Sequence, residues 1–263
     1  MLEKVQAFVI EFFDLEVIKA SINTLLLYPN IEINIIENKS DYTDSDIKPY
    51  LIDLVNNEKI KRYFAFDKNI FNGASDIVLR HPTLNLNETR YCLLTDGSLS
   101  CNEPTWLQKQ MSYMEADKNI YACAVSLSRE NMPPIEIRYF GTNPVEDKGE
   151  YELILSGHTN SHMLLIRSKD IVDTLNFLKA KGKTFTDCAL GAYRNAHSNR
   201  TWIRIKTPLF YRHTWDYFKI PNHPYMNYKH NFNMQRRFTI MRCGYTLYTK
   251  DNETRFDIPE IGI

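Results

Sequence analysis

Several short polar segments follow apolar runs, and their side chains are of the types that bind phosphorylated, hydroxyl-rich ligands. The first, Glu37-Asn38-Lys39-Ser40, directly follows the run Ile31 to Ile36. A carboxylate there can accept hydrogen bonds from a uracil or guanine edge or from ribose hydroxyls, and Asn38 and Ser40 add short polar contacts. The second, Asp67 to Ala74, holds Asn69 and the pair Asn72-Gly73. At a helix start such a pair offers backbone N–H groups, unobstructed by a side chain, to ribose or phosphate. The third is Thr95-Asp96-Gly97-Ser98, after Tyr91-Cys92-Leu93-Leu94, and the fourth is Phe185-Thr186-Asp187. Further on, Arg212 can neutralise phosphate charge, and His213, as a neutral imidazole, can ligate a cation. Each has a plainer reading: polar turns at 37–40, 72–73 and 96–97, a helix N-cap at Asp187, and a structural His213.

The elements that must position these residues are legible from hydrophobic periodicity. Ala7 to Phe13 is an apolar run of strand length, and Asp14 then caps a helix whose Val17, Ile18, Ile22, Leu25 and Leu26 recur at helical spacing. A strand at 31–36, a helix carrying Ile47, Tyr50, Leu51 and Leu54, a strand at 62–66, a helix at 73–79 and a strand at 91–94 continue the alternation. Such β-α-β units imply parallel strands in an open α/β sheet, with ligands bound beyond the carboxyl ends. The second half predicts a helix from about Thr105 and strands at 120–127, 151–155, 163–166, 202–205 and 210–213. A helix at 170–180 ends before Gly182. The last 50 or so residues, rich in His, Asn, Tyr and Arg, read as a helix plus an irregular tail. The segment His230 to Phe238 within them reads as a solvated helix face or an oligomer contact.

The order of these pieces over roughly residues 5–215 resembles the family 2-like glycosyltransferases of GT-A fold. In that family the second strand ends in an Asp-Asn-x-Ser-like turn, matched here by Glu37-Asn38-Lys39-Ser40 with Glu in place of Asp. The segment Asn69 to Gly73 is similar to the family's Asn-x-Gly-containing helix start. Thr95-Asp96-Gly97-Ser98 stands where the family has its Asp-x-Asp metal motif, with Ser98 replacing the second Asp. The resemblance implies donor contacts from Glu37, Asn38, Ser40, Asn69, Asn72, Gly73, Thr95, Asp96, Gly97 and Ser98. It implies a divalent cation, Mn2+ or Mg2+, on Asp96 and His213, acceptor-side contacts from Gly157 and His158, and Asp187 as the general base of an inverting transfer. The fold implied is α/β, a mainly parallel GT-A (Rossmann-like) sheet flanked by helices with a C-terminal helical or irregular extension. Residues 1–100 would form the nucleotide-sugar half, 101–215 the acceptor half, and 216–263 the extension. The activity implied is that of a hexosyltransferase-like enzyme (EC 2.4). Its donor would be a nucleotide-diphosphate sugar and its acceptor a glycan or another hydroxyl compound.

Composition narrows the alternatives. Over 263 residues the 32 basic and 32 acidic side chains cancel, so no overall field favours nucleic acid as a partner. Five cysteines, Cys92, Cys101, Cys123, Cys188 and Cys243, are odd in number and lack paired spacing, which fits a reducing compartment. No signal peptide and no apolar stretch of about 18 residues is visible. The expected location is the cytoplasm, with peripheral attachment to a membrane open. A nucleotidyltransferase would open with a Gly-rich, basic loop after the first strand, where this chain has Phe12-Phe13-Asp14-Leu15. A non-catalytic nucleotide-sugar-binding module draws support from Ser98.

Overall fold

The computed structural model describes residues 3–134, 144–155, 162–197, 200–226 and 240–262, and within these leaves aside the side chains of 187, 188, 240–242 and 259–262. Its centre is a parallel block of four strands, β1 (Val5–Glu11), β2 (Ile31–Glu37), β3 (Arg62–Phe66) and β4 (Tyr91–Asp96). These strands are mostly apolar and largely buried because helices cover both their faces. Helices α1 (Leu15–Leu26), α2 (Lys48–Asn56) and α4 (Trp106–Ala116) bury Ile18, Ile22, Leu51, Val55 and Trp106 against one face. On the other face α3 (Gly73–Leu79), α5 (Ser168–Ala180) and α6 (Asp187–Ala196) bury Val78, Ile171, Leu175 and Leu190.

Local chemistry sets the helix starts. The Asp14 carboxylate accepts from the N–H groups of Glu16 and Val17, as the sequence predicts for an N-cap. A π-helical turn, Thr43–Ile47, leads into α2, where Pro49 sits in the first turn and its missing N–H costs nothing.

The remaining strands are β5 (Leu99–Ser100), β6 (Ile120–Leu127), β7 (Val145–Asp147), β8 (Tyr151–Ile154), β9 (Leu164–Arg167), β10 (Thr201–Arg212), β11 (Ile240–Thr249) and β12 (Asn252–Gly262). They complete a 12-stranded sheet of order β12-β11-β3-β2-β1-β4-β9-β6-β10-β8-β7, with β5 paired to β10. Outside the central block the pairing is antiparallel except for β6 with β10, so the whole sheet is mixed. The chain builds outward from β1 to β2 and β3, then returns to lay β4 on the other side of β1. At such a reversal the connections leave opposite faces of the sheet, which opens a crevice beyond the carboxyl ends of β1 and β4.

Two expectations are corrected. The segments 202–205 and 210–213 form one strand, β10, whose register against β6 shifts between Ile205 and Leu209. After a short 3-10 helix, His213–Lys219, the described part of the C-terminal tail adds an element the sequence does not predict, the hairpin of β11 and β12. Its inner strand adds to the sheet edge at β3 because Tyr245 and Leu247 pack beside Phe64 and Phe66. The cysteines Cys92, Cys101, Cys123 and Cys243 are unbridged and buried, in line with their apolar surroundings. No helix among the described residues is long and apolar enough to cross a membrane.

Candidate active site

Three carboxyl groups end the strands that border the crevice: Glu11 on β1, Glu37 on β2 and Asp96 on β4. Glu11, which the sequence does not single out, is 1% exposed and its Oε1 has no hydrogen-bond partner among the described residues. Burial, and then the nearby charges of Asp96 and Glu37, raise its carboxyl well above the ordinary carboxylate value. It lies directly on Gly97, where a Cβ would fall 1.9 Å from the carboxyl group. The Gly97 N–H donates to Ile10 O (2.8 Å), which fixes the turn after β4 against the end of β1.

Glu37 is fully buried and accepts from the Tyr63 hydroxyl; burial outweighs that bond and raises its carboxyl too. It therefore turns into the protein beside β3. Asn38 works as a stitch between loops. Its N–H donates to Glu11 O (3.1 Å), its Nδ2 donates to Phe71 O (3.2 Å), and its Oδ1 accepts from Ile70 N (3.0 Å). Ser40 builds the turn into the π-helical segment, donating through its N–H to Thr43 Oγ1 (2.8 Å) and accepting from Tyr42 N. Asn69 accepts from Phe71 N (3.1 Å), and the Gly73 N–H is taken by Ile70 O (3.1 Å) rather than left for a ligand.

Asp96 holds the most charged position. Its Oδ1 accepts from the Ser98 hydroxyl (2.5 Å) and N–H (3.2 Å), and its Oδ2 lies 3.4 Å from the Arg212 guanidinium. Burial pushes this carboxyl up, but the Arg212 charge and the Ser98 hydrogen bonds hold it below the usual range. His162 stands 3.7 Å from Asp96, but burial and Arg212 push its imidazole down to about 3. That contact is thus between a carboxylate and a neutral ring, not an ion pair. Arg212 reaches the site because β5 pairs Leu99 with Arg212, which pins the end of β10 across the turn that carries Asp96.

His213 follows but turns elsewhere: its N–H donates to Ser98 O (2.9 Å) and its Nε2 meets the Ser100 hydroxyl (2.7 Å). Burial lowers its pKa against the pull of Asp216 and Asp14.

The fourth segment arrives from the opposite face of the sheet. Phe185 N–H donates to Asp76 Oδ1 (2.7 Å), tying the start of α6 to α3. A small cavity of about 30 Å3 there is shared by Asn72, Ser75, Thr95 and Thr186 among apolar neighbours. Thr186, not Asp187, is the N-cap of α6, its hydroxyl accepting from Ala189 N (3.2 Å). Asp187 is the first helical residue, so the capping role that competes with a chemical one falls to its neighbour. Gly157 and His158 lie outside the described residues.

A second group that the sequence does not signal is aromatic. Phe13 has a φ of +94°, a left-handed conformation that costs a non-glycine residue about 1–3 kcal/mol. Its ring is held by Tyr42, Tyr217, His223 and Tyr225 at centroid distances of 5.2–6.3 Å, and Tyr217 donates to the Asp14 carboxylate (2.5 Å). The segment after β10 is thereby folded over the end of β1. A larger hollow of about 750 Å3 lies at the opposite ends of β2 and β3. Lys4, Lys59, Lys61, Arg62 and Lys250 line it with Glu32 and Glu58, away from all the groups above.

No profile of a known protein family matches the chain. Among curated proteins it is 32% identical over 254 residues to uncharacterized protein L142 of Acanthamoeba polyphaga mimivirus, covering 94% of this chain and 51% of that protein. It is 30% identical over 259 residues to uncharacterized protein L138 of the same virus, covering 95% of this chain and 29% of that protein. The chain thus spans about half the length, or less, of these relatives. Among solved structures it resembles the mannosyltransferase PcManGT from Pyrobaculum calidifontis in complex with GDP-Man and Mn2+. The TM-score is 0.53 at 12% identity, over 86% of this chain and 60% of that one. The fold is that of GT-A glycosyltransferases. GalNAc-T7 with UDP, GalNAc and Mn2+ is also similar, with a TM-score of 0.52 at 9% identity, over 80% of this chain and 43% of that one.

Both neighbouring structures contain Mn2+, so the donor set here is tested against a divalent cation. Hard cations need several oxygen ligands, which for Mg2+ at a nucleotide means one or two open carboxylates besides waters and the substrate's phosphates. Asp96 has Ser98 on one oxygen and a guanidinium on the other, and the second position of the motif is a neutral hydroxyl. His213 is engaged by Ser100. Among the described residues no three His, Cys, Asp or Glu side chains converge as a metal site requires. These residues do not fit a resident dication.

Proposed function

We propose that the chain is a glycosyltransferase that moves a sugar from a nucleotide-diphosphate sugar to an acceptor hydroxyl, a glycan's in the first instance, with inversion at C1. The observation that carries this is a convergence at one place in a GT-A fold. Asp96 and Ser98 close β4 at the reversal of strand order between β1 and β4, the turn after β2 carries Asn38, and Thr186 at the start of α6 shares a cavity with Thr95 of β4. The nucleotide would lie over the ends of β1, β2 and β4, and the sugar would point toward α6. Asp187 would take the proton of the acceptor hydroxyl as its oxygen attacks C1. A positioned base contributes about 10²–10⁴-fold, and orientation of two bound substrates supplies more. No step is assigned to a divalent cation, because the groups around Asp96 do not fit one.

Many transferases slowly cleave their donor without acceptor, so release of nucleoside diphosphate from a panel of nucleotide sugars tests the proposal. Selective cleavage of one donor is the expected result. Binding without cleavage, with and without glycan acceptors, would instead favour a nucleotide-sugar-binding module, for which Ser98 in place of a second carboxylate already argues. Neither binding nor cleavage of any donor would remove the proposal.

A further inference from the structure

The cation that faces Asp96 belongs to the chain itself. The side chain of Arg212 is held on every side: Nε donates to Thr214 Oγ1 (3.3 Å), one terminal nitrogen lies 3.1 Å from His162 Nε2, and the other lies 3.4 Å from Asp96 Oδ2. The guanidinium also rests 5.6 Å from the ring centre of the buried Trp215, and Asn131 Nδ2 donates to the Arg212 carbonyl (2.9 Å). A guanidinium has no acceptor, so His162 Nε2 must be the bare nitrogen that receives its N–H. Arg212 is thus a clamped, permanently charged group. Its side chain keeps 19% of its surface open, beside an Asp96 that keeps 30%. A guanidinium held beside a strand-end carboxylate and still partly open can offer its remaining N–H groups to phosphate oxygens, and its position is fixed before any ligand arrives.

We propose that Arg212, rather than a divalent cation, binds and neutralises the diphosphate of the donor. Asp96 and His162 act as positioning residues that hold the guanidinium, and Asp96 is left to receive ribose hydroxyls on its open edge. This rests on the donor reading given above. In the transfer step the acceptor oxygen forms its bond to C1 and its proton passes to Asp187. The C1–O bond to the phosphate breaks, and the electron pair stays with the leaving nucleoside diphosphate. Arg212 offsets the added negative charge through its N–H groups without giving up a proton. The mechanism therefore runs in the presence of chelator, although both neighbouring structures contain Mn2+.

The test is calorimetric titration of UDP and GDP into the whole chain, first in EDTA and then with Mn2+. Wild type is expected to bind one of the two with the same affinity in both conditions, and to take up no Mn2+ when the metal is titrated alone. Arg212→Ala should weaken that binding about 10–150-fold, the range for hydrogen bonds to a charged group. Arg212→Lys, which keeps the charge and loses the fork, should recover part of it, and a thermal melt of each variant shows whether it is folded. Binding that appears only with Mn2+, or that is unchanged in a folded Arg212→Ala or Arg212→Lys protein, overturns the assignment to Arg212 and leaves the donor reading standing. Binding of neither nucleotide in either condition overturns the donor reading, and the assignment with it.

Discussion

Asp187→Asn is expected to reduce sugar transfer by about 10²–10⁴-fold while nucleotide-sugar affinity stays within a small factor of wild type. The substitution keeps the size and shape of the side chain but removes its ability to take a proton. The cap of α6 is supplied by Thr186, so the helix start survives the change. Loss of one negative charge in the first turn costs about 0.3–1 kcal/mol of helix stability, too little to unfold the chain. Transfer measured with saturating donor, together with the donor dissociation constant, separates the two effects. Undiminished turnover in Asp187→Asn would exclude it as the base. A parallel loss of donor binding would make it a donor contact instead.

Gly97→Ala is expected to be severe for a steric reason. Its new methyl group would lie 1.9 Å from the Glu11 carboxyl, far inside contact distance. Glu11 is 1% exposed and sits on a central strand paired on both sides, so it has no solvent to swing into. Forcing extra volume into such a site costs about 1–3 kcal/mol or more. At this chain length that corresponds to a melting point lower by roughly 2–4 °C per kcal/mol. Shortening the neighbour should relieve the clash. The double variant Gly97→Ala with Glu11→Ala should be less destabilised than the sum of the single changes, by about 0.5–3 kcal/mol of coupling. A Gly97→Ala protein that melts with wild type would mean that Glu11 and the 96–98 turn are not packed as described.

How much of this the sequence discloses follows from what each contact depends on. The four parallel strands and α1 are legible because they are local: apolar runs of strand length, an Asp at the cap, and helical spacing from Val17 to Leu26. The terminal hairpin is not, although Cys243, Tyr245 and Leu247 alternate as a half-buried strand should. Its partner β3 lies far upstream, and the surrounding His, Asn and Arg mask the period. The strand-end polar residues are legible as positions but not as roles. Asn38 and Ser40 spend their hydrogen bonds on loop structure, and Glu37 turns inward to Tyr63. The pairing that most shapes the chemistry, Arg212 with Asp96, joins residues 116 positions apart through the short β5–β10 ladder, and no spacing rule reports it. Glu11 had a signal, a lone carboxylate inside the run from Ala7 to Phe13, but its burial against Gly97 depends on β4 being the neighbour of β1.

The most direct measurement is a crystal structure of the chain with the nucleoside diphosphate that calorimetry selects. The nucleotide is expected beyond the carboxyl ends of β1, β2 and β4, with its diphosphate on Arg212 and its ribose beside Asp96. A nucleotide found instead in the basic hollow of Lys59, Lys61 and Arg62, at the other end of the same strands, would contradict a donor site at the reversal of strand order.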